Sequence, residues 1–379
     1  MDTNELYRDV DNLLGICDQF RSNIEWSDSS WLNEIEALSL LRKEVGILRT
    51  IEELVRKEKY GEAFILNRTV FENFFLLSLV LRGTKYELAY KVTRREGETQ
   101  EKAYERVARE LEKLKITRKD IVSFKPSHGC KMIRVVYKGL YSKDADDRVT
   151  PIYYFIFNEY DPVAHWVDKF KSISSKEIFS EVYEKQHKKH KSLYQIFLAF
   201  AKVLEANVLN NAITEEQKIR CLVHYNFLSS FTHLTKKSVD LLKDANSTSV
   251  YGFKSADRCR HLMTELNLLY VISICRLLLV LFIDFFADTG HRIKNESELI
   301  AHIEKVGKKY DYFWFVFNEP DEYDRWKYQT SKEYHRRHEG KLLDEEIPYC
   351  RDPYERLDGQ HKSVLELSTG LPYRSRFPI

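Results

Sequence analysis

The chain has 379 residues, a net charge of +2, 43% hydrophobic residues and 13% aromatic residues. A charged fraction of 31% excludes a disordered chain and an ordinary membrane protein, and the near-zero balance excludes attraction of nucleic acid by the molecule as a whole, so any such binding needs a local patch. The 13 glycines and 8 prolines are few beside 23 tyrosines and 22 phenylalanines, which favours long helices over a turn-rich β-sandwich.

The opening MDTNELYRDVDNLLGICDQF is acidic and amphipathic, without the basic start and short apolar run of a secretory signal. It reads as a helix over 3–22. A second amphipathic helix is expected over 30–58, with Ser29 or Ser30 as its N-cap. Residues 62–82 read as a nearly all-apolar helix. Residues 86–119 are highly charged, with Tyr104, Val107, Leu111 and Leu114 at helical spacing, and read as an exposed amphipathic helix.

Pro126, Gly129, Gly139 and Pro151 break this pattern over 120–160, and MIRVVY suits a short strand, so a small irregular or β-hairpin insertion is expected there. Helices resume over 161–170, 174–209 and 214–243, and NSTSVYGFKS at 246–255 reads as a loop. A long helix over 255–287 and a shorter one over 296–316 complete a helical body at residues 1–317. Residues 318–379 hold five of the eight prolines and many charges, and read as an extended polar C-terminal tail.

Within the long helix, LNLLYVISICRLLLVLFIDFF at 266–286 has the length of a membrane span. Arg276 sits at its middle, where a charge costs at least ~2.5 kcal/mol on insertion, so a buried core helix without membrane contact is the expectation. Six scattered cysteines (Cys17, Cys130, Cys221, Cys259, Cys275, Cys350) form no CxxC pair, which points to a reducing cytoplasmic setting without a disulfide framework.

Polar residues inside the apolar helices are the candidate functional set. Arg68 and Glu72 lie about 40° apart on one helix face and can pair at i,i+4. His233 shares a stripe with Asn226, Ser229 and Ser230, opposite Phe227, Leu228 and Phe231, and Lys236 and Lys237 follow one turn later. Arg258, His261, Glu265, Ser273 and Arg276 fall within one broad stripe of the 255–287 helix. A buried guanidinium needs a carboxylate, and Glu72 is assigned to Arg276 on that need. The expectation is one internal polar site built from Arg68, Glu72, His233 and Arg276.

The RTVFE run at 68–72 and YNFLSSFTH ending at His233 resemble a family of bacterial all-helical proteins linked to the HEPN-like class, over roughly residues 60–85 and 215–290. Members of that class include phage-defence and toxin ribonucleases, with an Arg and a His four to six residues apart on one helix. In this chain the corresponding positions before His233 hold Leu228, Phe227 and Asn226, and Arg220 and His224 have only three residues between them. The resemblance implies an all-α, HEPN-like multi-helix bundle that binds RNA or acts as a metal-independent ribonuclease in phage defence or stress. His233 would be the acid or base at a ribose 2′-hydroxyl, with Arg68 or Arg276 stabilising phosphate charge. Lys236, Lys237, Arg258 and Arg260 would hold RNA, with no metal or other cofactor. A homodimer, and a protein partner such as an antitoxin, are implied by the same analogy. The alternative is a non-enzymatic helical scaffold or sensor whose buried polar cluster is structural.

His187 and His190 in EKQHKKHKSLYQ, and the EYHRRHEGK run at 333–341, read as solvated basic faces able to touch phosphates. His128 and Cys130 lack a second pair at zinc-finger spacing. No Walker lysine loop, GxGxxG, GxSxG or HExxH occurs, which removes the commonest nucleotide-binding and hydrolase signatures.

Overall fold

The structure, a computed structural model, describes residues 3–26, 32–82, 84–92, 95–99, 101–103, 105–106, 109, 121–124, 133–140, 199–233, 235–246, 256–310, 313, 353–358 and 361. Helices dominate and the fold is all-α. Two compact units form: Met1–Phe74 with Ile213–Ile379, and Phe75–Ala212.

In the first unit, α1 (Thr3–Gln19) buries Leu6, Val10, Leu13, Leu14 and Cys17, the single-face spacing of an amphipathic helix. A 3-10 turn follows at Phe20–Asn23, and the short β1 (Ile24–Glu25) pairs antiparallel with β5 (Arg292–Ile293). The second helix, α2 (Leu32–Arg56), buries Ala37, Leu41, Val45, Leu48, Ile51 and Val55. Its expected caps Ser29 and Ser30 lie outside the described residues. Helix α3 (Tyr60–Leu81) is apolar on most sides, yet it has a wet edge on which Ile65 is 38% exposed.

The second unit holds the end of α3, a three-stranded antiparallel sheet and a helix. The strands are β2 (Thr84–Val92), β3 (Ile121–Phe124) and β4 (Ile133–Leu140), in the order β2-β4-β3. A β-hairpin between β3 and β4 agrees with the expected insertion, and MIRVVY lies largely in β4. Residues 86–92, the start of the helix expected over 86–119, instead lie in the long outer strand β2. The reason is visible in TKYELAYKV: Tyr86, Leu88, Tyr90 and Val92 alternate with Lys85, Glu87, Ala89 and Lys91 at a period of two, which a helical reading of the charged stretch after it overrode. Helix α4 (Phe200–Leu209) closes against α3, with Asn207 Nδ2 donating to the Phe75 carbonyl at 3.0 Å and Phe75 meeting Phe200 edge-on at 5.8 Å. The helices expected at 161–198 lie outside the described residues.

Back in the first unit, α5 (Glu215–Thr232) starts on a reciprocal cap. The Gln217 amide donates to Thr214 Oγ1 at 3.2 Å, and the Thr214 amide donates to Gln217 Oε1 at 2.8 Å. The single helix expected over 214–243 is in fact two, because Thr235 caps a new start. Its hydroxyl accepts from the Ser238 amide at 3.2 Å, opening α6 (Lys236–Asn246), while His233 takes extended angles.

Helix α7 (Ala256–Asp288) is about 50 Å long and buries every residue from Leu262 to Cys275, so it is the core around which α1, α2, α6 and α8 (Glu296–Lys309) pack. Two residues past its end, Gly290 has a φ of +85°, which glycine adopts without strain. Both α3 and α7 are long and apolar enough to cross a membrane, and 61% and 83% of their apolar stretches are buried within this fold. Among the described residues, Cys17, Cys221, Cys259 and Cys275 are free thiols, all buried. In the predicted tail, residues 353–358 form a helical turn that buries Tyr354, Arg356, Leu357 and Asp358.

Candidate functional site

Helices α3 and α5 run antiparallel. Phe64 stacks on Phe231 with centroids 4.3 Å apart and meets Phe227 edge-on at 5.5 Å, while two turns later Phe71 approaches His224 at 6.4 Å. Between these aromatic contacts Arg68 Nη2 donates to Tyr225 Oη at 2.8 Å and lies 3.2 Å from Glu72 Oε1. The guanidinium also sits 5.0 Å from the Tyr225 ring centroid, within cation–π range. The side chains of Arg68 and Glu72 are 19% and 33% exposed, so the pair is largely buried and internally neutralised, as its i,i+4 spacing suggests.

His233 is not part of this cluster. It is exposed at the C-terminal end of α5, about 12 Å of helical rise beyond Tyr225. Of the stripe it shares, Asn226 is exposed and Ser229 and Ser230 are half-buried, while Phe227, Leu228 and Phe231 opposite are buried, so the stripe does not form the expected internal site.

Arg276 is placed differently from the expectation. Asn267, nine residues earlier, faces α3, where its Oδ1 accepts from Asn67 Nδ2 at 2.8 Å. Nine residues amount to about 180° of helix rotation, so Arg276 projects from the opposite side of α7 and does not pair with Glu72. Its Nε donates to the Ile303 carbonyl of α8 at 3.2 Å, and burial pushes its pKa down from the usual arginine value. The helix makes room for it at Gly307, where a Cβ would collide with the guanidinium. The expected convergence of Arg68, His233 and Arg276 is therefore absent, because the three occupy separate faces and ends of the bundle.

The predicted RNA-binding residues divide similarly. Lys236 is exposed, and Lys237 lies 3.8 Å from Glu355. Arg258 Nη2 donates to Asp358 Oδ1 at 2.7 Å, and Arg260 pairs with Asp257 while donating to the Ala245 carbonyl at 3.2 Å. Arg258 thus clamps the C-terminal turn onto α7, helped by a 3.4 Å contact between Cys259 Sγ and Tyr354 Oη.

Sequence reasoning missed two polar centres. The first lies in the core, where His224 Nδ1 is 2.8 Å from Tyr270 Oη and Phe313 packs edge-on to the imidazole at 5.1 Å. Burial, and then the positive charges of Arg356 and Arg220, hold the His224 pKa well below its ordinary value. The available signal was Arg220 and His224 one turn apart, among residues that the helical period turns inward.

The second missed centre joins α7 to the C-terminal segment. Glu265 is 1% exposed; its Oε2 lies 3.5 Å from His261 Nε2 and 3.0 Å from His361 Nε2. The two imidazole rings lie with centroids 5.8 Å apart, tilted by 47°. His261 Nδ1 is 3.2 Å from Thr3 Oγ1 at the start of α1. Burial lowers the His261 pKa, opposed by the Glu265 charge and reinforced by His361. His261 and Glu265 were visible as part of a polar stripe, but nothing in the spacing brought His361 to them.

Comparison with protein-family models, curated proteins and solved structures finds no match for this chain, so the HEPN-like resemblance rests on the quoted motifs alone.

Proposed function

We propose that this chain is a non-enzymatic helical scaffold or sensor, in which the polar groups of the apolar helices fix packing. The observation that carries this reading is the separate engagement of the catalytic candidates: Arg68 with Glu72 and Tyr225, Arg276 with α8, and His233 exposed at a helix end. General acid–base attack on a ribose phosphate needs an imidazole and a cation within reach of one phosphate. About 12 Å of helix lies between His233 and the Arg68 partner Tyr225.

The test is an RNA-cleavage assay on the purified chain and its Arg68→Ala and His233→Ala variants. The scaffold reading expects no cleavage from any of them, with Arg68→Ala less stable than the parent. A second reading, an RNA-binding protein or metal-independent ribonuclease of HEPN-like kind acting in phage defence or stress, draws on the exposed His233 and Lys236 where α5 meets α6. RNA loss with the parent chain that His233→Ala abolishes would replace the scaffold reading with this one.

A further inference from the structure

The cluster at the start of α7 has more order than an ion pair requires. A buried carboxylate could be neutralised by one protonated imidazole. Here two imidazoles present Nε2 to the same oxygen of Glu265, and the three ligand atoms all lie within 4.8 Å of one another. Bonds of about 2.0–2.2 Å from a metal to nitrogen or oxygen place neighbouring ligand atoms about 3.0–3.5 Å apart. The two contacts to Glu265 Oε2, 3.0 and 3.5 Å, match that edge length.

We propose that His261, Glu265 and His361 bind one divalent transition-metal ion of the zinc or iron(II) kind, with Thr3 orienting His261. Two imidazoles and one carboxylate suit these ions and disfavour Ca2+ and Mg2+, which take oxygen ligands. The i,i+4 spacing sets His261 and Glu265 on one face of α7. His361 is delivered by the turn at 353–358, itself held by the Arg258–Asp358 pair and the Cys259–Tyr354 contact. Thr3 Oγ1 engages Nδ1 of His261, the outer hydrogen bond that fixes ring orientation in metal-bound histidines and leaves Nε2 turned inward.

Three protein ligands leave at least one position for water. The His261 and His361 side chains are 33% and 24% exposed, so an ion can enter and exchange. The bound ion joins the N-terminal helix, the core helix and the C-terminal segment at one point. This site goes beyond the scaffold reading and does not depend on it.

The test uses the full chain, stripped with a chelator and dialysed, then titrated with Zn2+ by calorimetry and with Co2+ by absorption. One ion per chain is expected, with a thermal midpoint that rises with Zn2+. Thr3→Ala should weaken binding about 10-fold, as loss of an outer hydrogen bond does. His361→Ala and Glu265→Gln should weaken it about 100-fold or more, beyond the outer-shell range. Glu265 is buried and its variant can misfold, so His361→Ala, checked for native circular dichroism, is the deciding chain. Absence of stoichiometric binding in the parent, or unchanged affinity in natively folded His361→Ala, overturns the proposal.

Discussion

Asn67 donates from Nδ2 to Oδ1 of Asn267 at 2.8 Å, joining two long apolar helices, α3 and α7, at a point where both residues are fully buried. Asn267 Nδ2 in turn donates to the Met263 carbonyl at 2.8 Å. A buried amide pair of this kind fixes the axial position of α3 against α7, because sliding either helix strands polar atoms in hydrocarbon. Asn67→Leu alone should cost about 1–3 kcal/mol, the penalty for leaving Asn267 Oδ1 buried without its donor. Asn67→Leu with Asn267→Leu should cost less than the two single losses summed. Urea unfolding of the four chains of this double-mutant cycle measures the difference, and strict additivity would count against a shared role.

Arg68 is tied to Tyr225 by both a hydrogen bond and ring contact. Tyr225→Phe removes the first and keeps the second, so it should lower stability by about 1 kcal/mol. Arg68→Lys should be no better tolerated, since an ammonium cannot reproduce the planar contacts of guanidinium. His233→Ala should leave the stability within about 0.5 kcal/mol of the parent, as expected for an exposed residue. Thermal melts of the three chains check this ordering.

The buried His224 makes stability depend on pH. Its folded pKa is depressed, so below the ordinary histidine value of 6.5 the unfolded chain binds a proton that the folded chain refuses. Stability from this group is complete above 6.5 and falls as pH drops, by up to about 1.4 kcal/mol per pH unit while the folded form stays neutral. Denaturation between pH 7 and 5.5 should show a slope steepening toward that limit in the parent and a smaller one in His224→Gln. His261 is shifted in the same direction and contributes to the remaining slope. Asp9 acts at lower pH: burial raises its pKa, but hydrogen bonds from Lys309 and Tyr310 outweigh it and hold the carboxyl low, so its contribution is lost only as pH falls through the acidic range.

Arg276 has lost water and, among the described residues, gained a single carbonyl bond to Ile303. Replacement by a residue of similar length without charge removes the desolvation cost. The Ile303 carbonyl stays within α8, where a helical amide can occupy it. Arg276→Met should therefore change stability by less than about 1 kcal/mol or raise it. A large loss in its chemical denaturation curve would point instead to a carboxylate partner for the guanidinium.

Period and burial were legible in the sequence wherever one helix face determines the outcome. The spacing of Leu6, Val10, Leu13 and Cys17 sufficed for α1, and the unbroken apolar run sufficed for α7. The break at Thr235 was less visible, because a cap is a matter of one hydroxyl and the helical period continues through it. Strand β2 was hidden by the charges that follow it, since alternation over a few residues is a weaker signal than a long helical pattern. The polar stripe on α7 gives an angle and not a partner. Its partners came from α8 and from a segment about a hundred residues downstream, Ile303 for Arg276 and Asp358 for Arg258. Long-range pairing of this kind depends on chain path, which local composition does not encode.

The first compact unit joins chain ends that are made at very different times. Helix α1 needs α7 to cover its apolar face, and the ribosome reaches α7 on the order of 10–50 s later at about 5–20 residues per second. During that interval α1 can meet its near neighbour α2 but not α7, so the nascent chain carries a partly open hydrophobic stripe that invites chaperone binding. The contiguous stretch Phe75–Ala212 faces a shorter delay, on the order of 7–27 s at the same rate, and is complete before α7 is made.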